Sequence, residues 1–265
     1  MVLRDFMIIS RTPLRVSFAG GGTDLPSFYK IEPGCVVNTA INKYIYITVN
    51  KRFDHTIRVG YSEPETVEGV DKIKHPIVRE ALKLVGIDNG IEITSIADVP
   101  SKGTGLGSSS SFTVGLLNAL HAYKGEHKSA DTLARESCKI EREILRESGG
   151  KQDQYIAAHG GLQFMQFNPD EAVFVNPIVC SKSTKKALEE SLIRFNTGVS
   201  RNSSDISNKQ EKNTLSKLDF LRKMKSLAIE MKECLLNEDL DKIGSILHEN
   251  WILKKQLADG ISDST

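Results

Sequence analysis

Pro100-Ser101-Lys102-Gly103-Thr104-Gly105-Leu106-Gly107-Ser108-Ser109-Ser110-Ser111 is the stretch on which the reading of this chain turns. Before it, residues 91–96 alternate apolar and polar as a strand does. After it, residues 111–123 set Val114, Leu117 and Leu120 on one helical face. Three glycines in five residues allow left-handed backbone and let a ligand approach bare main chain. The serines fall where a helix start leaves N–H groups unpaired and presents the positive end of its dipole. A glycine turn feeding a helix N-terminus is an anion site, and phosphate is its natural guest. A mobile Gly/Ser linker is the competing reading, but linkers seldom run from a strand straight into an apolar-striped helix.

Familiar phosphate loops do not fit. No GxxxxGK[ST] string occurs, and where a dinucleotide fingerprint needs its last glycine the chain has Ser108. The signature elements of protein kinases are absent as well.

Working outward, residues 7–10, 12–18, 36–41, 44–49 and 56–59 read as strands, with Pro13 marking an edge or bulge. Residues 75–85 carry a helical stripe that Gly86 stops, and Ser129 caps a helix expected to run to about Arg146. Residues 162–167, 172–179 and 192–195 look extended, and two long apolar-striped helices follow. Lys182, Lys185 and Lys186 read as a solvated loop, and Trp251 as a packing residue. The expected class is α+β, with domains 1–160 and 161–265.

Composition narrows the function. Lys+Arg 35 against Asp+Glu 34 leaves a formal charge of +1, no field for gripping nucleic acid or an acidic lipid surface. No apolar run has the length of a membrane span and the start lacks a signal h-region, so a cytoplasmic protein is expected. The cysteines Cys35, Cys138, Cys180 and Cys234 are far apart, without a CxxC pair, and are expected to be reduced.

The loop resembles the second motif, P-x-G-x-G-L-G-S-S-A, of the GHMP kinases. Two further segments agree. Thr12-Pro13-Leu14-Arg15-Val16-Ser17-Phe18-Ala19-Gly20-Gly21-Gly22-Thr23-Asp24 is similar to the first motif of the sugar kinases. Glu141-Arg142-Glu143 followed by Gly149-Gly150-Lys151-Gln152-Asp153-Gln154-Tyr155 is similar to the E-H-x…G-x-x-D-Q segment. The details look most like the D-glycero-D-manno-heptose 7-phosphate kinases. Gly21-Gly22 stands where galactokinases have Glu-His, and Arg15 where mevalonate kinases have Lys. A third, G-x-G-G-G segment is not found before Thr265. The resemblance thus implies a two-domain GHMP-kinase-like fold with a mixed N-terminal ATP-binding domain. Its smaller second domain, of antiparallel sheet and helices, would be C-terminally incomplete, with the site between the two.

The implied activity is an ATP- and Mg²⁺-dependent sugar kinase acting on the anomeric hydroxyl of a heptose 7-phosphate. A fucose- or galactose-type sugar-1-kinase, or a catalytically silent sensor on the same scaffold, is the alternative. Gly103, Thr104, Gly105, Leu106, Gly107, Ser108, Ser109 and Ser110 would cradle the nucleotide phosphates. Ser109, with Ser108 as runner-up, would face Mg²⁺ together with Glu141. Asp153 would orient or deprotonate the acceptor hydroxyl, and Arg15 would neutralise charge nearby. Gly22, Thr23 and Asp24 would hold the sugar, and Arg201, or alternatively Lys102, its distal phosphate. A small-molecule sugar phosphate is the only partner implied.

Overall fold

The computed structural model describes residues 6–100, 104–195 and 203–262 of the chain. In chain order its elements are β1 (Ile8–Ala19), α1 (Pro26–Tyr29), β2 (Gly34–Lys51), β3 (Ile57–Gly60), β4 (Glu65–Val67), α2 (Pro76–Val85) and β5 (Ile91–Ala97). Then come α3 (Ser108–Tyr123), α4 (Ala130–Cys138), α5 (Gln152–His159), β6 (Leu162–Phe167) and β7 (Val173–Pro177). Four helices follow, α6 (Lys182–Ser191), α7 (Ser203–Asn213), α8 (Leu218–Leu236) and α9 (Ile243–Lys255). The fold is α+β, as expected. Among the described residues no helix is long and apolar enough to cross a membrane.

The chain forms two compact units, but not by a single cut at residue 160. The first takes Met1–Leu14, Ile41–Glu147 and Asp153–His159; the second takes Arg15–Ala40, Ser148–Gln152 and Gly160–Thr265. The reason lies in two strands that the sequence reading broke up. β1 runs 12 residues through Arg11, and β2 runs 18 residues through Asn42 and Lys43, so each passes from one unit into the other.

In the first unit, the later half of β2 pairs antiparallel with β5, from Ile45 opposite Ala97 to Lys51 opposite Ile91. β5 pairs in parallel with β3, and β3 antiparallel with β4. The α2 stripe, Ile77, Val78, Ala81, Leu82 and Val85, is buried, and Gly86 closes the helix at φ 72° as expected. Helix α3 buries Val114, Leu116, Leu117 and Leu120, each contributing on the order of 2 kcal/mol, together with the smaller Ala119. It leans so closely on β1 that a Cβ at Gly115 would sit 2.6 Å from Thr12 Oγ1. Ser10 Oγ donates to the Gly115 carbonyl at 2.8 Å, and Ser111 Oγ to that of Pro13 at 2.8 Å. These contacts fix where the start of α3 lies.

Ser129 caps α4 as expected, accepting from Thr132 N at 3.2 Å. The helix does not continue regularly to Arg146. It widens into π-helical turns over Lys139–Ile144, with Leu145 N bonding Ile140 O at 2.9 Å, and Arg146 ends it at φ 55°. Such widened turns frequently mark functional positions, because they rotate one side chain out of helical phase. Glu141 is on this one.

In the second unit, the first half of β2 pairs antiparallel with β6, from Gly34 opposite Phe167 to Thr39 opposite Leu162, and β6 with β7. Its core joins Phe18, Phe28 and Val37 to Met224, Leu227, Ala228 and Met231 of α8 and to Ile243, Ile246 and Leu253 of α9. Residues 192–195 are not a strand. Lys182, Lys185 and Lys186 stand exposed on helix α6, which Ser181 caps by accepting from Thr184 N at 3.1 Å. A polar helix held by its cap and by buried Leu188 has too narrow an apolar stripe to show in periodicity. Trp251 does not pack inside: it is 42% exposed, with Lys255 Nζ 5.6 Å above its ring. All four cysteines are free thiols.

Candidate active site

Two groups of residues carry chemistry, one in each unit. In the first, Gly105 (φ 66°) and Gly107 (φ 73°) turn the chain left-handed into the start of α3. A Cβ at Gly105 would meet nothing within 4 Å, so the backbone there faces open space. Thr104 Oγ1 and Ser108 Oγ pair at 3.2 Å across the turn, and Leu106 anchors it by burial. Ser111 N bonds Gly107 O at 3.0 Å and Leu106 N bonds Thr104 Oγ1 at 3.4 Å, so the helix starts directly on the glycine turn, the kind of N-terminus that favours an anion. Gly103 and Lys102 lie outside the described residues, as does Arg201.

Glu141 is fully buried beside that helix start. Its Oε2 accepts from Ser110 Oγ at 2.9 Å and from Gln154 Nε2 at 2.7 Å, and its Oε1 from Thr113 Oγ1 at 2.5 Å. Burial pushes its carboxyl above the ordinary range, against the pull of Arg142, whose guanidinium is 3.6 Å from Oε2, and of the two hydroxyls. The serine that meets Glu141 is therefore Ser110; Ser109 is exposed, and its carbonyl accepts from Thr113. Sequence reasoning missed Thr113 and Gln154. The first was within reach, because Ser110 and Thr113 are three apart on one helix face.

The donor set suits a hard divalent cation. Among the described residues no three His, Cys, Asp or Glu side chains come together, which disfavours an all-protein cage. Mg²⁺ instead needs one or two protein oxygens and takes the rest from water and phosphate. A buried carboxylate with an adjoining hydroxyl meets that need, and Gln154 Oε1 is a buried acceptor without a hydrogen-bond partner among the described residues. Asp153 is half-buried in the first turn of α5, one residue before Gln154.

In the second unit the loop Gly20-Gly21-Gly22-Thr23-Asp24 is tightly made. Thr23 is buried, donating to the carbonyls of Gly20 (2.8 Å) and Cys35 (2.9 Å) and accepting from Cys35 N (3.0 Å). Its hydroxyl thus shapes the loop and is not turned toward a ligand. Asp24, 2% exposed, accepts from Gly22 N at 2.9 Å and from Gln152 N at 3.3 Å. Gln152 Oε1 in turn accepts from Asn38 Nδ2 at 3.3 Å, leaving Asn38 Oδ1 buried without a hydrogen-bond partner among the described residues. Over the glycines, Lys254 of α9 donates to the Gly21 carbonyl at 2.8 Å and to Gln210 Oε1 at 3.2 Å. Burial pushes its ammonium down to about 8, with Asp24 raising it and Arg15 lowering it. Nothing in the sequence singled out Lys254 or Gln210.

Comparison with known proteins fits this geometry. The family model for the GHMP kinases N terminal domain matches residues 72–161. A D-glycero-alpha-D-manno-heptose 7-phosphate kinase of Campylobacter jejuni is 33% identical over 274 residues, covering 97% of this chain and 79% of that protein. The crystal structure of a D-glycero-D-manno-heptose 1-phosphate kinase from Bacteroides thetaiotaomicron superposes with a TM-score of 0.81 at 27% identity, covering 97% of this chain and 81% of that one. A bifunctional fucokinase/GDP-fucose pyrophosphorylase of Arabidopsis thaliana is 26% identical over 92% of this chain and 26% of its own length. The chain belongs to the GHMP kinases. Within them it is a phosphotransferase with an alcohol acceptor, a small-molecule sugar kinase most like the D-glycero-D-manno-heptose 7-phosphate kinases.

Proposed function

We propose that the chain transfers the γ-phosphoryl group of ATP to the anomeric hydroxyl of a heptose 7-phosphate, giving the 1,7-bisphosphate and ADP, with Mg²⁺ required. The observation that carries this reading is Glu141, a buried carboxylate hydrogen-bonded to Ser110 at the start of α3, directly after the left-handed glycines. Phosphoryl transfer needs positioned charge more than covalent help from the protein. Thr104, Gly105, Leu106, Gly107, Ser108, Ser109 and Ser110, with Gly103 before them, form the phosphate cradle. Glu141 and Ser110 would hold the Mg²⁺, with Ser109 the neighbouring hydroxyl; the ion neutralises charge on the phosphate oxygens. Gln154 and Thr113 orient the Glu141 carboxylate.

Asp153 accepts the proton of the anomeric hydroxyl as that oxygen bonds the γ-phosphorus and the bond to the ADP oxygen breaks. An anomeric hydroxyl is more acidic than an ordinary alcohol, so a carboxylate is a sufficient base. Arg15 compensates charge on the transferred group, and Gly22 and Asp24 receive the sugar. The heptose assignment is supported by the 33% identical Campylobacter protein, whose name gives that substrate.

The test is ADP release by the purified chain with ATP, Mg²⁺ and a panel of sugars, followed by phosphorus NMR of the product. A new anomeric phosphate on a heptose 7-phosphate is expected. Preference for free fucose or galactose, or phosphate placed on another hydroxyl, would overturn it.

A further inference from the structure

Glu171 holds a backbone conformation that its side chain makes costly. In the turn between β6 and β7 its φ is 69°, and Glu171 N closes the turn by donating to the Asn168 carbonyl at 3.0 Å. A glycine would take this left-handed position without strain, whereas any residue with a Cβ is strained there. What the glutamate adds is a carboxylate, and three groups converge on it. Tyr29 Oη donates to Oε2 at 2.8 Å, Lys151 Nζ pairs with the same oxygen, and Lys30 Nζ is 3.5 Å from Oε1. Lys151 also sits over the Tyr29 ring, 4.9 Å from its centroid. Burial raises the Glu171 carboxyl, but these hydrogen bonds and lysine charges outweigh it and hold the group below its ordinary range. An isolated surface ion pair contributes little; here a network is built on a tyrosine that is itself 2% exposed.

The network closes around the part of the second unit that carries Asp24. Tyr29 ends α1, five residues beyond Asp24, and Lys151 stands between Gly150 and Gln152. Gly150 lies so close to the Asp24 carboxylate that a Cβ would clash, and Gln152 N donates to it. The bonds that hold Gln152 are long: 3.3 Å from its N–H to Asp24 Oδ2, and 3.3 Å from Asn38 Nδ2 to its Oε1. Both lie beyond the usual N–H···O range of about 2.7–3.2 Å, so they hold the segment weakly. Gly149 N reaches Glu211 Oε1 only at 3.4 Å, and the firm bond from Ser148 Oγ to the Ser204 carbonyl, at 2.8 Å, is four residues before Gln152. The firm hold next to Gln152 is the side chain of Lys151.

We propose that Tyr29, Glu171 and Lys151 form a clasp that positions the acceptor loop: Lys151, pinned by the other two, sets the place of Gln152 and through it Asp24, and so the affinity for the sugar. This rests on the reading above in which Gly22 and Asp24 receive the sugar. Lys151 is a positioning residue and touches no reacting atom. Loss of the clasp weakens sugar binding, because misplaced contacts lose energy steeply with distance. The nucleotide turn at the start of α3 has no part in the network.

The test compares Lys151→Met, Glu171→Gln, the double variant and Lys151→Arg with the unaltered chain, reading the KM for heptose 7-phosphate, kcat, and the affinity for an ATP analogue. Each of Lys151→Met and Glu171→Gln should raise the sugar KM by about fivefold or more, with affinity for the ATP analogue within about twofold. The double variant should be no worse than the poorer of the two, since both cut the same link. Lys151→Arg should restore most of the loss, because a guanidinium can pair with Glu171 and stack on Tyr29. A sugar KM unmoved in both single variants, or rises that add in the double variant, overturns the proposal. So does an equal loss of affinity for sugar and nucleotide, which marks general loss of structure.

Glu171→Gly keeps the test clear of misfolding. It removes the carboxylate and the backbone strain together, so it should unfold in urea at much the same midpoint as the unaltered chain, yet raise the sugar KM as Glu171→Gln does. A lowered midpoint with the sugar KM unchanged makes the clasp a stability element and overturns the proposal. Hydrogen exchange needs no substrate: in Glu171→Gln the amides of residues 149–152 should exchange faster while those of α2 stay as they were. Unchanged exchange at 149–152 overturns the proposal as well. If the unaltered chain turns over heptose 7-phosphate normally while these tests fail, the functional reading stands and only the clasp is lost. A chain that phosphorylates no sugar loses the functional reading and the sugar role of the clasp with it.

Discussion

A Cβ placed on Gly150 would lie 1.8 Å from Asp24 Oδ2 and 2.9 Å from the Asp24 carbonyl. The closeness is what the second unit needs: Asp24 reaches across to accept from Gln152 N, and only a bare backbone lets the two segments meet. Gly150→Ala should therefore force the carboxylate out of place and destabilise the fold by about 2 kcal/mol or more, as overpacking at a rigid contact does. Gly86→Arg is no fair comparison, since its φ is strained for any side chain; Gly69→Ala, whose Cβ meets nothing within 4 Å, is the suitable control. Urea denaturation of both reads the difference, and equal midpoints would show that the Asp24 loop yields.

Glu141 gives a stability prediction with a definite sign. Its carboxyl is raised above its ordinary value of 4.5, chiefly by burial, so the folded state holds this proton more tightly than the unfolded chain does. Stability from this group is then fully present below about pH 4.5 and declines as pH rises through the folded value. Glu141→Gln removes the titration. Without nucleotide, the variant should gain stability relative to the unaltered chain between pH 4 and pH 7.5, while its turnover with ATP and Mg²⁺ falls by roughly a hundredfold or more. A stability difference independent of pH would mean that Glu141 is ionised with its ordinary affinity.

What the sequence made legible was local. The stripe of α2, its stop at Gly86, the cap at Ser129 and the glycine turn before α3 each depend on a few adjacent residues, and each was readable. Helical phase was less so. The apolar stripe suggested that α3 began at residue 111, whereas it begins at Ser108, and those three residues decide whether Ser109 or Ser110 meets Glu141. The π-helical turns that aim Glu141 leave no mark in periodicity, since they shift one residue without changing composition. β1 and β2 were broken at Arg11 and at Asn42-Lys43 because polar residues interrupt the runs, yet each strand continues through its interruption. The contact of Lys254 with Gly21 spans the whole chain and has no local sequence signature at all.

The glycine turn is testable at Gly105. Its φ of 66° is costly for any side chain and most of all for a β-branched one, while the space in front of it is open. Gly105→Val should therefore leave a folded protein, with its α2 and α3 cores intact, that no longer binds ATP. Isothermal calorimetry with a non-hydrolysable ATP analogue and Mg²⁺ measures this, circular dichroism checking the fold. Unchanged affinity in a folded variant would move the phosphates away from this turn.

Asp153 offers the sharpest separation of binding from chemistry. It is half-buried in the first turn of α5, between Gln152, whose N–H supports Asp24, and Gln154, whose side-chain amide supports Glu141. Both neighbours are tied into the two functional groups, so the backbone of Asp153 is held from either side and substitution of its side chain alone should leave that frame in place. Asp153→Asn keeps the shape and a hydrogen-bonding oxygen but cannot take a proton. Affinity for the ATP analogue should stay within about twofold, while kcat falls by roughly a hundredfold or more, the usual loss for a positioned acid–base group. If instead kcat is nearly normal and only the sugar KM rises, Asp153 merely holds the acceptor hydroxyl, and the proton leaves by another route.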